Sequence, residues 1–132
     1  MKTYLFVYGT LRRSLSHHNR LTVAAEFISL ATMQGKLYLP ATYPGAIDSD
    51  DNDDRVAGEV YRIINESCLL ESLDDYEACS PRYQTPHEYC RVQRPVQLLD
   101  GAMLTAWVYL YNWPVTNLPI VPSGDFLHCI QQ

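Results

Sequence analysis

Two short stretches of this sequence combine residue types able to do chemistry. The first is Tyr8-Gly9-Thr10-Leu11, where an apolar run ends at a glycine and opens into a polar loop. Such a loop leaves backbone N–H groups without ladder partners. Gly9, lacking a Cβ, has access to φ > 0 and to close approach by a ligand. Consecutive free N–H groups in a turn of this kind form an anion-binding concavity; the plainer alternative is an ordinary strand-to-loop turn. The second stretch is 66–78, read as a helix. At about 100° per residue, Leu69, Leu70, Leu73 and Tyr76 share an arc of roughly 120°. Glu71 and Asp75 lie opposite that arc, Asp74 sits just off its edge, and Glu77 falls inside it. A carboxylate held against apolar surface has its charged form disfavoured, which makes it a better base near neutral pH. The alternative is that the helix frays by Glu77, which then turns to water or pairs with Arg82 or Arg91.

Other candidates are weaker. Arg12 and Arg13 follow the glycine loop, and Arg12, the nearer, is a candidate to hold a substrate carboxylate; a solvated surface arginine is the alternative. Tyr111 could place its hydroxyl beside a ligand or simply fill the core. His17-His18 would point about 100° apart on a helix, with no third ligand evident, so no metal site is expected. Asp48, Asp50, Asn52 and Glu59 match positions of a calcium loop, but Asp53 stands where the sharp turn needs Gly, and a strand follows. The segment 48–54 therefore reads as a solvated loop. Cys79 or Cys90 with His87 lacks an orienting third group for thiol catalysis.

Several elements must position these residues. Tyr4-Leu5-Phe6-Val7-Tyr8 reads as a buried strand. Residues 19–25 suggest a short helix, and 26–39 one bent strand or two short ones around Gly35. Pro40, Pro44 and Gly45 mark a turn. Segment 55–64 alternates as a strand, and Asn65 is a good N-cap for the helix that follows. Residues 80–88, with Pro81 and Pro86, read as a loop. Tyr89–Leu99 and Met103–Tyr111 form a hairpin around Asp100-Gly101. The tail from Val115 is irregular and wraps on the core. Strands, one principal helix, then a hairpin favour an α+β fold.

Length and composition bound the function. The 132 residues make one domain, 1–132, 47% apolar and 19% charged, with ten tyrosines. A net charge of −5 argues against nucleic acid as a partner. There is no signal-peptide pattern and no membrane-length apolar run, and the four cysteines show no CxxC pair, so a cytosolic protein with reduced thiols is expected.

Taken in order, Val7-Tyr8-Gly9-Thr10-Leu11-Arg12, Gly58-Glu59-Val60-Tyr61, Leu73-Asp74-Asp75-Tyr76-Glu77, Tyr89-x-Arg91-Val92-x-x-Pro95-Val96, Ala106-Trp107-Val108-Tyr109-x-Tyr111 and Ser123-Gly124-Asp125-Phe126 resemble the γ-glutamylcyclotransferase superfamily. The likeness is greatest to the small single-domain branch of γ-glutamylamine cyclotransferases and their bacterial relatives. The resemblance implies a small mixed β-barrel with flanking helices. It also implies cyclisation of a γ-glutamyl amine or γ-glutamyl amino acid to 5-oxo-L-proline, without cofactor. By the same resemblance Glu77 is the general base, Tyr8, Gly9, Thr10 and Leu11 bind the substrate, and Tyr43, Pro44 and Gly45 belong to the pocket rim, a plain turn being the alternative for these three. A non-catalytic module binding a γ-glutamyl compound or small anion is the rival reading, and oligomeric state is not legible.

Overall fold

The computed structural model of the chain describes residues 3–9, 12, 25–41, 43–64, 66–77 and 85–127. Thr10, Leu11, Arg13, His17-His18, the expected helix before Ala25, Asn65, Cys79 and Arg82 lie outside the described residues. The first strand, β1 (Thr3–Val7), is buried on both faces, as its unbroken apolar run requires. Leu5 and Val7 point to one side and Phe6 to the other, and all three are buried. One edge of β1 runs antiparallel to β5 (Arg55–Ile63), from Thr3 opposite Ile63 to Val7 opposite Glu59. The other edge meets β7 (Met103–Tyr111) in parallel, Leu5 opposite Trp107.

The segment around Gly35 resolves into two strands, β2 (Ala25–Gln34) and β3 (Lys36–Tyr38). β2 pairs antiparallel with β5, with a bulge between Phe27 and Ser29, and through Ala31–Met33 with β6 (Tyr89–Leu98). β6 and β7 form the expected hairpin, with Gly101 at φ 93° in its turn. The strand order β1-β5-β2-β6-β7 closes into a barrel, so the α+β barrel expectation is met. A three-residue strand, β4 (Gly45–Ile47), pairs with β3 in a small second sheet.

Phe6, Met33, Val56, Val60, Val96 and Val108 fill the barrel interior. A second apolar layer lies outside β1, where Leu69, Leu70 and Leu73 of the helix α1 (Glu66–Tyr76) pack on Leu5, Val7 and Tyr109. Glu71 faces solvent, as the periodicity places it. The tail is laid over the core: Ile120 bridges to Tyr38, the Ala57 amide donates to the Gly124 carbonyl at 2.8 Å, and Phe126 is buried. Among the described residues no helix is long and apolar enough to cross a membrane.

Candidate active site

Glu77 follows the last assigned residue of α1, yet its amide donates to the Leu73 carbonyl at 2.8 Å. The i→i−4 ladder therefore extends to Glu77, and the helical phase that aims it inward still applies. Its carboxylate is half-buried, and its charge raises the pKa values of Tyr8, Tyr43 and Tyr89. For each of these tyrosines burial is the first cause and Glu77 a lesser one, acting with the charge of Glu88 at Tyr43 and Tyr89. The Tyr43 hydroxyl is pushed up to about 12 by burial and then by its bond to Glu88. These phenols stay protonated at neutral pH and act as donors.

One turn before Glu77, Asp74 fixes the end of the helix. Arg91 donates to it twice, at 2.7 and 3.1 Å, and the Tyr109 hydroxyl donates at 2.7 Å. The Arg91 guanidinium also lies 4.6 Å from the centre of the Trp107 ring. Arg91, considered from the sequence as a partner for Glu77, thus forms its bidentate pair with Asp74.

Tyr8 ties three strands together. Its buried hydroxyl donates to the Tyr109 carbonyl at 2.6 Å and accepts from the Ala46 amide at 3.1 Å. Gly9 comes next, and it does not use the φ > 0 that the sequence reading offered it. The glycine answers a different need: a Cβ there would sit 2.9 Å from the Pro44 ring. The loop after β1 and the turn at Pro44 are therefore in direct contact. A Cβ on Gly45 would meet the Tyr111 ring at 2.8 Å, so that ring lies flat against the backbone. Tyr89 donates to the Pro44 carbonyl at 2.6 Å, and its ring meets the Tyr111 ring edge-on with centroids 5.5 Å apart. The structure brings Tyr8, Gly9, Pro44, Gly45 and Tyr111 together; Thr10 and Leu11 fall outside the described residues.

Arg12 is the correction. The sequence left it either holding a substrate carboxylate or solvated, but it is buried, with 5% of its surface exposed. Its guanidinium is already engaged by Glu59 at 3.5 Å and Asp125 at 2.8 Å, with the Ala57 carbonyl at 3.5 Å. Its amide closes the turn by donating to the Gly9 carbonyl at 3.1 Å. Arg12 pins the loop to β5 and to the tail. Sequence reasoning missed Glu88, whose carboxylate accepts from the hydroxyl of the rim candidate Tyr43 at 2.6 Å. Glu88 stood at the end of an apparent loop, with no periodic pattern to point it anywhere.

The matching family model, "Gamma-glutamyl cyclotransferase, AIG2-like", covers residues 5–128. The chain belongs to this family. The γ-glutamylcyclotransferase family protein YtfP of Escherichia coli K12 is 33% identical over 123 residues, 93% of this chain and 95% of the relative. The γ-L-glutamyl-butirosin B γ-glutamyl cyclotransferase of Niallia circulans is 31% identical over 109 residues, 82% of this chain and 66% of the relative. Among solved structures, the E. coli ytfP protein aligns with TM-score 0.66 at 30% identity, over 97% of this chain and 99% of that one. A mouse AIG2-like protein aligns with TM-score 0.73 at 25% identity, over 91% and 86%. The γ-glutamylcyclotransferase barrel thus accounts for the whole described architecture.

Proposed function

We propose that this chain is a γ-glutamyl cyclotransferase that releases 5-oxo-L-proline and a free amine, with Glu77 as the general base and no cofactor. The observation that carries the reading is the placement of Glu77. Its carboxylate sits at the end of a helix held by Asp74, close enough to Tyr8, Tyr43 and Tyr89 to act on their hydroxyls. The family membership and the relative named for γ-L-glutamyl-butirosin B support a γ-glutamyl group as the part recognised.

In this reading Glu77 takes a proton from the substrate's α-ammonium. The freed nitrogen attacks the γ-carbonyl carbon and closes a five-membered ring. As the ring closes its nitrogen gives up a second proton, and the C–N bond to the leaving amine breaks. Both protons, the first of them relayed by Glu77, end on the departing nitrogen, so the ring keeps one N–H and the amine leaves protonated. No water is consumed and nothing is oxidised. Because the attack is intramolecular, holding the γ-glutamyl arm folded supplies much of the rate. N–H donors of the loop after Tyr8 answer the charge that grows on the γ-carbonyl oxygen.

The test is 5-oxoproline release from γ-glutamyl amino acids, γ-glutamyl amines, ε-(γ-glutamyl)-lysine and glutathione, with wild type and Glu77→Gln side by side. The variant is expected to lose activity by about 10²–10⁴-fold while keeping its fold. Full activity in Glu77→Gln would sink the mechanism.

A further inference from the structure

The carboxylate of Asp125 serves two ends. Its Oδ1 accepts from the Leu127 amide at 3.0 Å, the pattern of a helix N-cap, and from the Arg12 guanidinium at 2.8 Å. The second bond reaches across 113 residues, from the tail to the turn that follows β1. Among the described residues it is also the shortest bond the guanidinium makes, since Glu59 and the Ala57 carbonyl each stand 3.5 Å away.

The tail docks without help from that carboxylate. The Gly124 carbonyl accepts from the Ala57 amide at 2.8 Å, the Val121 amide donates to the Leu37 carbonyl at 2.8 Å, and Phe126 is buried. Gly124 has φ 70°, and a Cβ there would collide with the Arg55 carbonyl oxygen, so the backbone before Asp125 rests directly on β5. Asp125 is thus aimed at Arg12 by a scaffold that holds by itself.

At the other end of the bond, Arg12 carries the turn. Its amide donates to the Gly9 carbonyl at 3.1 Å, and Gly9 lies so close to the Pro44 ring that a Cβ would meet it at 2.9 Å. A shift of Arg12 therefore moves Gly9 against Pro44. Glu59 neutralises the buried guanidinium whether or not Asp125 is charged, so Asp125 decides where Arg12 sits rather than whether it can be buried.

We infer that Asp125 is a positioning residue for the turn from Gly9 to Arg12: from the far end of the chain its carboxylate fixes Arg12, and through Arg12 the backbone that receives the γ-glutamyl group. Its role toward substrate rests on the cyclotransferase reading, whereas the coupling of tail to turn rests on the bonds themselves.

The variant Asp125→Asn removes the charge but keeps the shape and the cap, since Asn serves as well as Asp at an N-cap. Amide hydrogen exchange, followed by NMR, reads the coupling without any substrate. The Arg12 amide is expected to exchange about tenfold faster in the variant. The Ala57 amide, bound to Gly124, and the amides of the β6–β7 hairpin are expected to keep their wild-type rates. In 5-oxoproline release from the γ-glutamyl panel, kcat/KM falls about tenfold. Asp125→Ser, shorter but still a cap, gives the same pattern. Unchanged exchange at Arg12 overturns the positioning role. So does an acceleration shared by Ala57, which would make Asp125 a fastener of the tail, and so does an unchanged kcat/KM. If the Arg12 amide alone speeds up while wild type releases no 5-oxoproline from any member of the panel, tail and turn are coupled and it is the cyclotransferase reading that falls.

Discussion

Around Arg12 the fold answers charge with charge, whereas around Tyr43 and Glu88 it answers charge with hydroxyls and rings. The Arg12 cluster is closed: guanidinium and Glu59 are both nearly out of water, and the Tyr61 hydroxyl completes Glu59 at 2.9 Å. A site satisfied in this way has little left to offer a ligand. The tyrosine cluster has phenols held neutral by burial and by Glu77 and Glu88, with Trp113, edge-on to Tyr111, in solvent. Two regions joined by the single turn from Gly9 to Arg12 thus divide the labour. One holds the loop in place and the other keeps polar groups available.

Exchanging the two losses tests this division most severely. Glu77→Gln should remove activity by about 10²–10⁴-fold while the protein stays folded, as read by circular dichroism. Arg12→Ala should do the reverse in kind, costing about 3–5 kcal/mol in denaturant unfolding because Glu59 is left buried without its cation. If Arg12→Ala folds with wild-type stability, the cluster is not the anchor described here.

A smaller effect is expected at Asp74→Asn, which keeps the shape of the side chain but weakens both bonds from Arg91. Steady-state kinetics should show kcat lower by about tenfold with KM little changed, as for a base displaced by a fraction of its working distance. A loss confined to thermal stability would reduce Asp74 to a packing contact.

The tyrosine cluster makes its own prediction with pH. Tyr43 has its folded pKa raised from 10.0 to about 12, and burial raises Tyr8 and Tyr89 as well. Groups raised in the folded state contribute stability that is complete below the unfolded value near 10 and is lost as pH climbs through the folded values. Unfolding should therefore become easier from about pH 10 upward. Tyrosinate absorbance should show a late-titrating fraction that appears together with unfolding. Smooth titration of all ten tyrosines near pH 10 would contradict the cluster as drawn. The least effect belongs to Asp48→Asn: Arg94 lowers the Asp48 pKa by hydrogen bonding, but both side chains are well exposed. Its stabilisation, present above about pH 3.8 and lost on acidification through the lower folded value, should not exceed about 0.5 kcal/mol by chemical denaturation.

How far the sequence could be read followed the range of the interactions. Leu69, Leu70 and Leu73 share one helical face, so their burial and the inward phase of Glu77 were legible from spacing alone. Asp100-Gly101 likewise announced the hairpin through local turn chemistry. Arg12 was misjudged because its partners, Glu59 and Asp125, are 47 and 113 residues away and nothing near Arg12 signals them. β4 was missed because three residues carry no period. Its Ala46 amide is held by the Tyr8 hydroxyl, a tie across 38 residues. Glu88 was hidden by the prolines before it, which mark a loop without saying which side chains it turns inward.

The parallel contact of Leu5 with Trp107 has a consequence for how the chain reaches its fold. The strand with two apolar faces is made near the start of the described chain, and the partner that closes the barrel on it is made near the end. During synthesis β1 can gain β5 and then α1 while its other edge stays open until the hairpin emerges. Closure is a long-range step that adds loop entropy late and slows folding relative to local hairpin formation. In the interval an unpaired apolar strand edge is presented to the cell, which makes β1 the segment most exposed to aggregation in a nascent or truncated chain.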